Sequence, residues 1–383
     1  MQPRYYFDHN ATTPLSGEVM QALVPALQEV YGNASSIHQC GQAARQKLEG
    51  ARRQVAAMLG ATPKEIVLLS GGTEADNLAM FGIARPGSHV ITTGIEHAAV
   101  LGAARRLEQR GVSVSYLKPS RAGFVSPQDV REALRPETAL VSVMHANNET
   151  GVVQPIAGIA AVCREAGVLL HSDGVQAAGR IAVNVRALGV DLYSVSAHKM
   201  YAPKGIGALY VRSGVSLEPQ IFGGRHERER RAGTENVPSA VAFGRAAEWI
   251  CGHVGEEAAR LAALRDRLER GIVSVVSDTR VNGANAERTP NTSNICFTGV
   301  EGEAMVIALD LRGFAVSSGS ACSSGAVEPS HVLLAMGLSP QEARSSVRFS
   351  LGRGNDEAQV DALIEAVAAA AGHLRRVSTY SHA

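Results

Sequence analysis

Several things are scarce in this chain, and each scarcity removes a class of explanation. Aromatic residues make up only 4% of it, with a single tryptophan, while glycine and alanine are plentiful. That composition suits closely packed helices and loops that bind through their backbone. Neither sign of charge dominates, because 37 basic side chains face 36 acidic ones for a formal net charge of +1. This argues against nucleic acid or an anionic membrane as the main partner. No uninterrupted apolar run approaches a membrane span. The N-terminus, MQPRYYFDHNATTP, has no apolar h-region, so no secretory signal is expected.

Cysteine is also sparse and never forms a CxxC pair. The usual zinc pattern is missing, and no resident metal is expected. The thiols, Cys40, Cys163, Cys251, Cys296 and Cys322, are odd in number and widely spaced. Without a leader they point to free thiols in a reducing cytoplasm. Cys163, Cys251 and Cys296 sit in apolar-periodic or strand-like surroundings and read as small buried hydrophobes. Cys40 stays undecided. Cys322 is different: it lies in SSGSACSSG (317–325), where nothing is bulky enough to bury it. That stretch has no hydrophobic period and reads as a loop with a glycine on either side of the thiol.

A chain of 383 residues exceeds what one hydrophobic core usually covers, so two domains in intimate contact are expected. From about 60 to 215, apolar runs alternate with helical patterns. The candidate strands are EIVLLS (65–70), HVITTG (89–94), VSVSYL (112–117), ALVSVMHA (139–146), VLLHSD (168–173), LYSVSA (192–197) and GALYVR (207–212). Strands alternating with helices imply an α/β fold with a mostly parallel sheet covered on both faces. Ligands of such sheets bind beyond the carboxyl ends of the strands. SGGTEADN, IEHAAV, NNETG, DGVQ and HKMYAPKG all fall there. After 255 the texture changes to one long amphipathic helix, then strands NTSNICF, FAVSS and SVRFSL and a last helix. This reads as a smaller α+β domain over 256–383, against a large domain over 1–255, whose first 12 or so residues are candidates to pack on the small one.

The chemistry starts at SVSAHK (194–199), where Lys199 follows a strand of small and β-branched residues. A lone lysine there is more often a surface residue. Asp173, however, ends another strand, in VLLHSDGVQ. A pyridoxal-phosphate enzyme needs this pair: the lysine forms the Schiff base, and the carboxylate keeps the pyridine nitrogen protonated. SGGTEADN opens a helix just after a strand, so the backbone N–H groups near Gly72 and the Thr73 hydroxyl suit a phosphate. An ordinary capped turn would explain the same residues. Ser196 and His198 could add phosphate contacts. His97 could stack on a cofactor ring and move protons near neutral pH, although a lone histidine is more often structural. Gln176 and Asn148 could reach the phenolic oxygen of the cofactor. Arg348 in SVRFSL suits a substrate carboxylate, or equally a surface salt bridge. GGRHERERRAGTEN (223–236) sets Arg225, Arg228, Arg230 and Arg231 against Glu227, Glu229 and Glu235. That reads as a network of paired charges around a binding loop or subunit contact.

Taken in order, YFDHNATTP, SGGTEADN, HANNETG, SAHKMYAPKG, RRAGTEN, SSGSACSSG and SVRFSLGR make a chain that strongly resembles the cysteine desulfurases of the NifS/IscS branch. These belong to the class V aminotransferases, fold type I pyridoxal-phosphate enzymes, and the likeness runs over nearly the whole length. It implies an aspartate-aminotransferase-like large domain with a mostly parallel seven-stranded sheet, and a smaller α+β C-terminal domain. It implies that Lys199 holds the cofactor, Asp173 pairs with its ring nitrogen and His97 stacks on the ring. Gly72, Thr73, Ser196 and His198 would bind the phosphate, and Thr234 would reach the phosphate of the other subunit of a homodimer. Gln176 would contact the phenolic oxygen, and Arg348, with Asn148 and Asn33, would hold the carboxylate of L-cysteine. Cys322 would take the sulfur as a persulfide, with Lys199 as the base and His97 accepting the thiol proton. The products would be L-alanine and sulfur passed to an acceptor protein such as an iron–sulfur cluster scaffold.

Two departures stand out. GNASS (32–36) replaces the family's frequent GNPSS, which loosens the turn at Asn33, and Gly174 stands where alanine is common. An aminotransferase or a selenocysteine lyase on the same fold is the rival reading, and a scaffold without catalysis is a rival of another class. The loop is expected either to be poorly ordered or to hold Cys322 away from Lys199.

Overall fold

The computed structural model describes residues 5–318 and 328–380. A short strand β1 (Tyr5–Tyr6) precedes helices α1 (Gly17–Glu29) and α2 (Gln39–Leu59). Strands and helices then alternate through β2 (Ile66–Leu69), α3 (Gly72–Ile83), β3 (His89–Thr93), α4 (Ala98–Glu108), β4 (Ser113–Leu117) and α5 (Pro127–Ala133). They continue through β5 (Thr138–Ser142), α6 (Ile156–Ala166), β6 (Leu169–Asp173), α7 (Val185–Leu188), β7 (Leu192–Ser196) and β8 (Gly207–Val211). Helix α8 (Val237–Val275) leads to β9 (Thr279–Val281), β10 (Thr292–Phe297), α9 (Gly302–Asp310) and β11 (Phe314–Ala315). The chain ends through α10 (His331–Ala335), α11 (Pro340–Arg344), β12 (Ser346–Ser350) and α12 (Glu357–Tyr380).

All seven expected strands join one sheet, in the order β2-β8-β7-β6-β5-β3-β4. Only β8 runs antiparallel to its neighbours. The strands are apolar on both faces because helices cover both. In β2, Ile66 and Leu68 join the core formed with α2, α6 and α8. Val67 and Leu69, on the opposite face, join the core formed with α3 and α4. Local chemistry sets the ends of the helices. Ser126 and Asp129 close a capping box on α5 behind Pro127, and left-handed Gly167 ends α6.

The second region is a three-stranded sheet, β12-β10-β9, packed by α9, α12 and the far half of α8. Strand β1 pairs with β11, and Phe7 lies in this core. Helix α8 differs from expectation: it starts at Val237, not near 255, and runs for 39 residues. Pro238 and the glycines at 244 and 252 hide its first half from a pattern search. Pro238 sits harmlessly in the first turn, behind the Asn236 cap. Gly244 lets α2 approach, since an added Cβ would lie 2.7 Å from the Ala51 Cα. The 255/256 boundary thus falls inside one helix, whose buried residues up to Ile250 face the first core and from Leu261 onward the second. Cys163 and Cys296 are buried as expected, but Cys251 and Cys40 are exposed. Among the described residues no helix is long and apolar enough to cross a membrane.

The 223–236 segment is held by paired charges. The Glu227 carboxylate, fully inside, accepts from both terminal nitrogens of Arg52 at 2.6 and 2.8 Å and from Leu68 N–H at 2.9 Å. This bond pins a run whose backbone is left-handed at Glu227, Arg228 and Glu229. Arg231 pairs with Glu74 in α3, and Arg225 with Glu229. Removing one partner strands the other charge in the core. Glu227→Ala should therefore destabilise the fold by about 3–5 kcal/mol, measured by denaturant unfolding. Arg52→Met with Glu227→Met should cost less than the sum of the two single changes. Strict additivity would show that the pair is not coupled.

Candidate functional site

The carboxyl ends of β6 and β7, the start of α3 and the loop after β5 converge on one edge of the large sheet. There they enclose a cavity of about 420 Å³, lined by Asn10, Gly72, Thr73, Asp76, His97, Asn148, Asp173, Gln176, Ser196, His198, Lys199 and Arg348 among others. A larger groove of about 700 Å³ between α2 and α8 holds no comparable convergence of polar groups.

Lys199 follows β7 on a single 3-10 turn. Its Nζ donates to the carbonyls of Asn10 at 2.6 Å and Ala11 at 2.7 Å. Burial pulls its pKa down to about 7, helped by the charges of Arg180 and Arg348 and opposed by Asp173 and Asp8. At that pKa the amine sheds its proton near neutral pH, and the two carbonyls can take both N–H bonds of the neutral form.

Asp173 ends β6, buried, with one oxygen accepting from Val175 N–H at 2.9 Å. Burial raises its pKa, while His97 and Lys199 act the other way. Beneath it lies Asp76, one turn into α3, with a buried oxygen that has no partner and sits 3.6 Å from His171 Nε2. Burial, then repulsion from Asp173, lifts the Asp76 carboxyl well above the usual range. The arrangement favoured is one proton on Asp76 and the charge on Asp173.

The opposite end of the cavity is an anion cradle. Gly72 opens α3, and an added Cβ would lie 2.8 Å from Val175 Cγ2 and 3.5 Å from Ser196 Cβ, so only bare backbone fits. His198 keeps its ring neutral, its pKa lowered to about 4 by burial and by Lys199, Lys204 and Arg180. Its Nδ1 meets Thr12 Oγ1 at 3.1 Å, leaving Nε2 for another partner. Gln176 donates to Asn10 O at 3.0 Å, while its buried Oε1 has no partner. His97 caps α4 through Ala99 N–H and faces the cavity with its pKa lowered by burial, against the pull of Asp173.

Arg348 settles between the two roles suggested for it. It is 5% exposed and donates to Asp8 Oδ1 at 2.6 Å and to Asn148 O at 3.0 Å, and its Nε has no partner. The salt bridge exists, but inside the site, where Arg348 also borders the cavity. Asn148 borders the same space. Two expected residues are not brought here within one chain. Thr234 lines a separate cavity with Ser70, Arg231 and Gly233. Asn33 closes a local turn on Ser35 N–H at 2.8 Å and does not border the site. Cys322, and with it the expectation about its loop, lies outside the described residues.

Sequence reasoning missed the N-terminal wall. Asp8, Asn10, Ala11 and Thr12 all contact site residues. Their motif was visible, but two of the contacts are made by backbone carbonyls, which a residue of any type would supply. Asp76 had a usable signal, one helical turn from Gly72. Gly174 also gains a reason: an added Cβ would land on the ring of Tyr193.

A buried carboxylate, a lysine that sheds its proton near neutral pH, an anion cradle and unpartnered acceptors fit pyridoxal phosphate, end for end. The fold and site define a fold type I pyridoxal-phosphate enzyme. Residues 5–363 match the family described as Aminotransferase class-V. The chain is 44% identical to a Dictyoglomus turgidum protein named cysteine desulfurase IscS, covering 99% of this chain and 98% of that one. A solved NifS-like protein superposes with a TM-score of 0.90 at 34% identity, covering 97% of this chain and all of that one. A structure described as SspA in complex with cysteine gives 0.81 at 36% identity, over 91% and 98% of the two chains. The chain belongs to the class V aminotransferase family and, within it, to the cysteine desulfurases.

Gly174→Ala should push Tyr193 from its place beside Asp173 and its 2.7 Å bond to His145. The expected cost is about 1–3 kcal/mol, seen as a lower unfolding midpoint and weaker cofactor retention. Adding Tyr193→Leu should recover part of the cofactor retention. An unchanged midpoint in Gly174→Ala would contradict the packing described.

Proposed function

We propose that this chain removes sulfur from L-cysteine, leaving L-alanine and a persulfide on Cys322. The observation that carries this reading is that Lys199, Asp173 and Arg348 line one cavity, with the Lys199 amine held on the Asn10 carbonyl. Bound there, pyridoxal phosphate supplies an electron sink for the substrate α-carbon and so weakens the carbon–sulfur bond. Gly72, Thr73, Ser196 and His198 would hold its phosphate, Asp173 its ring nitrogen and Gln176 its phenolic oxygen.

Arg348 takes the substrate carboxylate through its guanidinium, with Asn148 alongside, while Asp8 keeps the guanidinium plane in place. Lys199 accepts the α-proton and later returns a proton to carbon. The Cys322 thiolate attacks the substrate sulfur, so the carbon–sulfur bond breaks as the sulfur–sulfur bond forms. The balance is L-cysteine plus thiol giving L-alanine plus persulfide, with no outside oxidant. His97, kept neutral, can take the thiol proton.

We read the functional unit as a homodimer. Thr234 lies outside its own chain's cofactor cavity, and a second copy would bring it to the first copy's phosphate. The persulfide sulfur goes to an acceptor protein, such as an iron–sulfur cluster scaffold, in the cytoplasm. The IscS name of the relative and the free-thiol composition support that assignment.

Lys199→Ala should leave no lysine fixed to cofactor by borohydride, mapped by peptide mass spectrometry. Fixation at another lysine would displace Lys199 from its role. Cys322→Ala should keep the cofactor absorbance while alanine formation falls on the order of a thousandfold. Wild-type turnover in that variant would assign the acceptor thiol elsewhere.

A further inference from the structure

Three arginines are buried among the described residues: Arg52, Arg180 and Arg348. Two have a carboxylate, Glu227 for Arg52 and Asp8 for Arg348. Arg180 makes no ion pair with any described residue. Its guanidinium donates to two backbone carbonyls, His9 at 3.0 Å and Lys199 at 3.4 Å, and its Nε has no partner. Burying a cation without a counter-ion is costly, and backbone carbonyls could have been satisfied by a neutral amide. The charge itself therefore needs a use, and the backbone it touches is that of Lys199.

The charged and titratable groups around the Lys199 amine come from several elements. Arg348 in β12 is already matched by Asp8 at 2.6 Å. Asp173 ends β6 and pulls the other way. His97 at α4 and His198 beside the lysine have lowered pKa values, so both are neutral near pH 7. Tyr201 stays un-ionised, its phenol pushed up by burial. This leaves Arg180 as the positive charge without an adjacent anion. A nearby cation is one of the two ways to activate a lysine nucleophile, desolvation being the other.

We propose that Arg180 is a positioning residue for Lys199, its unpaired charge keeping the amine neutral and ready to capture an aldehyde or accept a proton. The inference rests on the reading of Lys199 as the cofactor lysine and goes beyond it, to what sets that lysine's protonation. Burial lowers the amine's pKa, and the Arg180 charge lowers it further, more than that of Arg348, which Asp8 offsets.

The test titrates Lys199 directly in the full-length chain stripped of cofactor. Acetic anhydride labels the free amine at each pH, and mass spectrometry follows the Lys199 peptide. Wild type should reach half-maximal labelling near the expected pKa of about 7. In Arg180→Gln, which keeps an amide donor, and in Arg180→Met, which keeps the length without one, the midpoint should rise by about one unit. Labelling at pH 7 should then fall about fivefold, since the neutral fraction drops from about one half to about one eleventh. A wild-type midpoint near the ordinary lysine value would overturn the proposal whether or not either variant folds. So would variants that titrate like wild type, or a shift in Arg180→Met that Arg180→Gln lacks, since that would implicate the hydrogen bonds and not the charge. Borohydride mapping of holoenzyme reports separately on whether Lys199 is the cofactor lysine, so the two failures are distinguishable.

Discussion

The carbonyl oxygen of Asn10 is the point on which the site depends. It accepts from Lys199 Nζ at 2.6 Å and from Gln176 Nε2 at 3.0 Å. The Asn10 side chain donates to Asn148 O and Thr292 Oγ1 and accepts from Asn291. One residue thus ties the lysine, the loop after β5 and the sheet of the second region together. Its neighbours extend the tie, with Asp8 on Arg348, His9 O on Arg180 and Thr12 on His198. The first residues of the chain start beside β11 and finish as a wall of the cavity in the large sheet. The site is therefore complete only when both hydrophobic cores have formed.

Charge is arranged around that wall with the same economy. The anion end is neutral or backbone, made of the α3 start, Ser196 and an uncharged His198, so an incoming phosphate meets donors and no fixed counter-ion. At the other end burial forces Asp76 and Asp173 to share a single charge. Between them the amine of Lys199 sits among cations that disfavour its protonated form. Burial pushes Lys199 and His198 toward their neutral forms, whereas Asp173 holds its charge against burial with the help of His97 and Lys199.

Much of this was legible before any coordinates. Parallel strands declare themselves as short apolar runs between helices, and the rule that ligands sit beyond their carboxyl ends placed Asp173, Lys199 and the Gly72–Thr73 turn on one edge. Other parts left no trace. The carbonyls that hold Lys199 have no side-chain identity. Nothing in the sequence singles out Arg180, because being unpaired is a property of three-dimensional surroundings. The first half of α8 was obscured by Pro238, Gly244 and Gly252; Pro238 is tolerated in the capped first turn and Gly244 where α2 approaches, while Gly252 faces open space. Gly174 read as a harmless variation until Tyr193 was seen to fill the space beside it.

The account's central claim is that this cavity delivers the sulfur of L-cysteine to Cys322. Intact-mass spectrometry of the holoenzyme after a single turnover with L-cysteine, without reductant, tests it most directly. The chain should gain the mass of one sulfur atom, and peptide mapping should place it on Cys322. No gain in mass, or a gain at Cys40, Cys163, Cys251 or Cys296 in place of Cys322, would contradict the account.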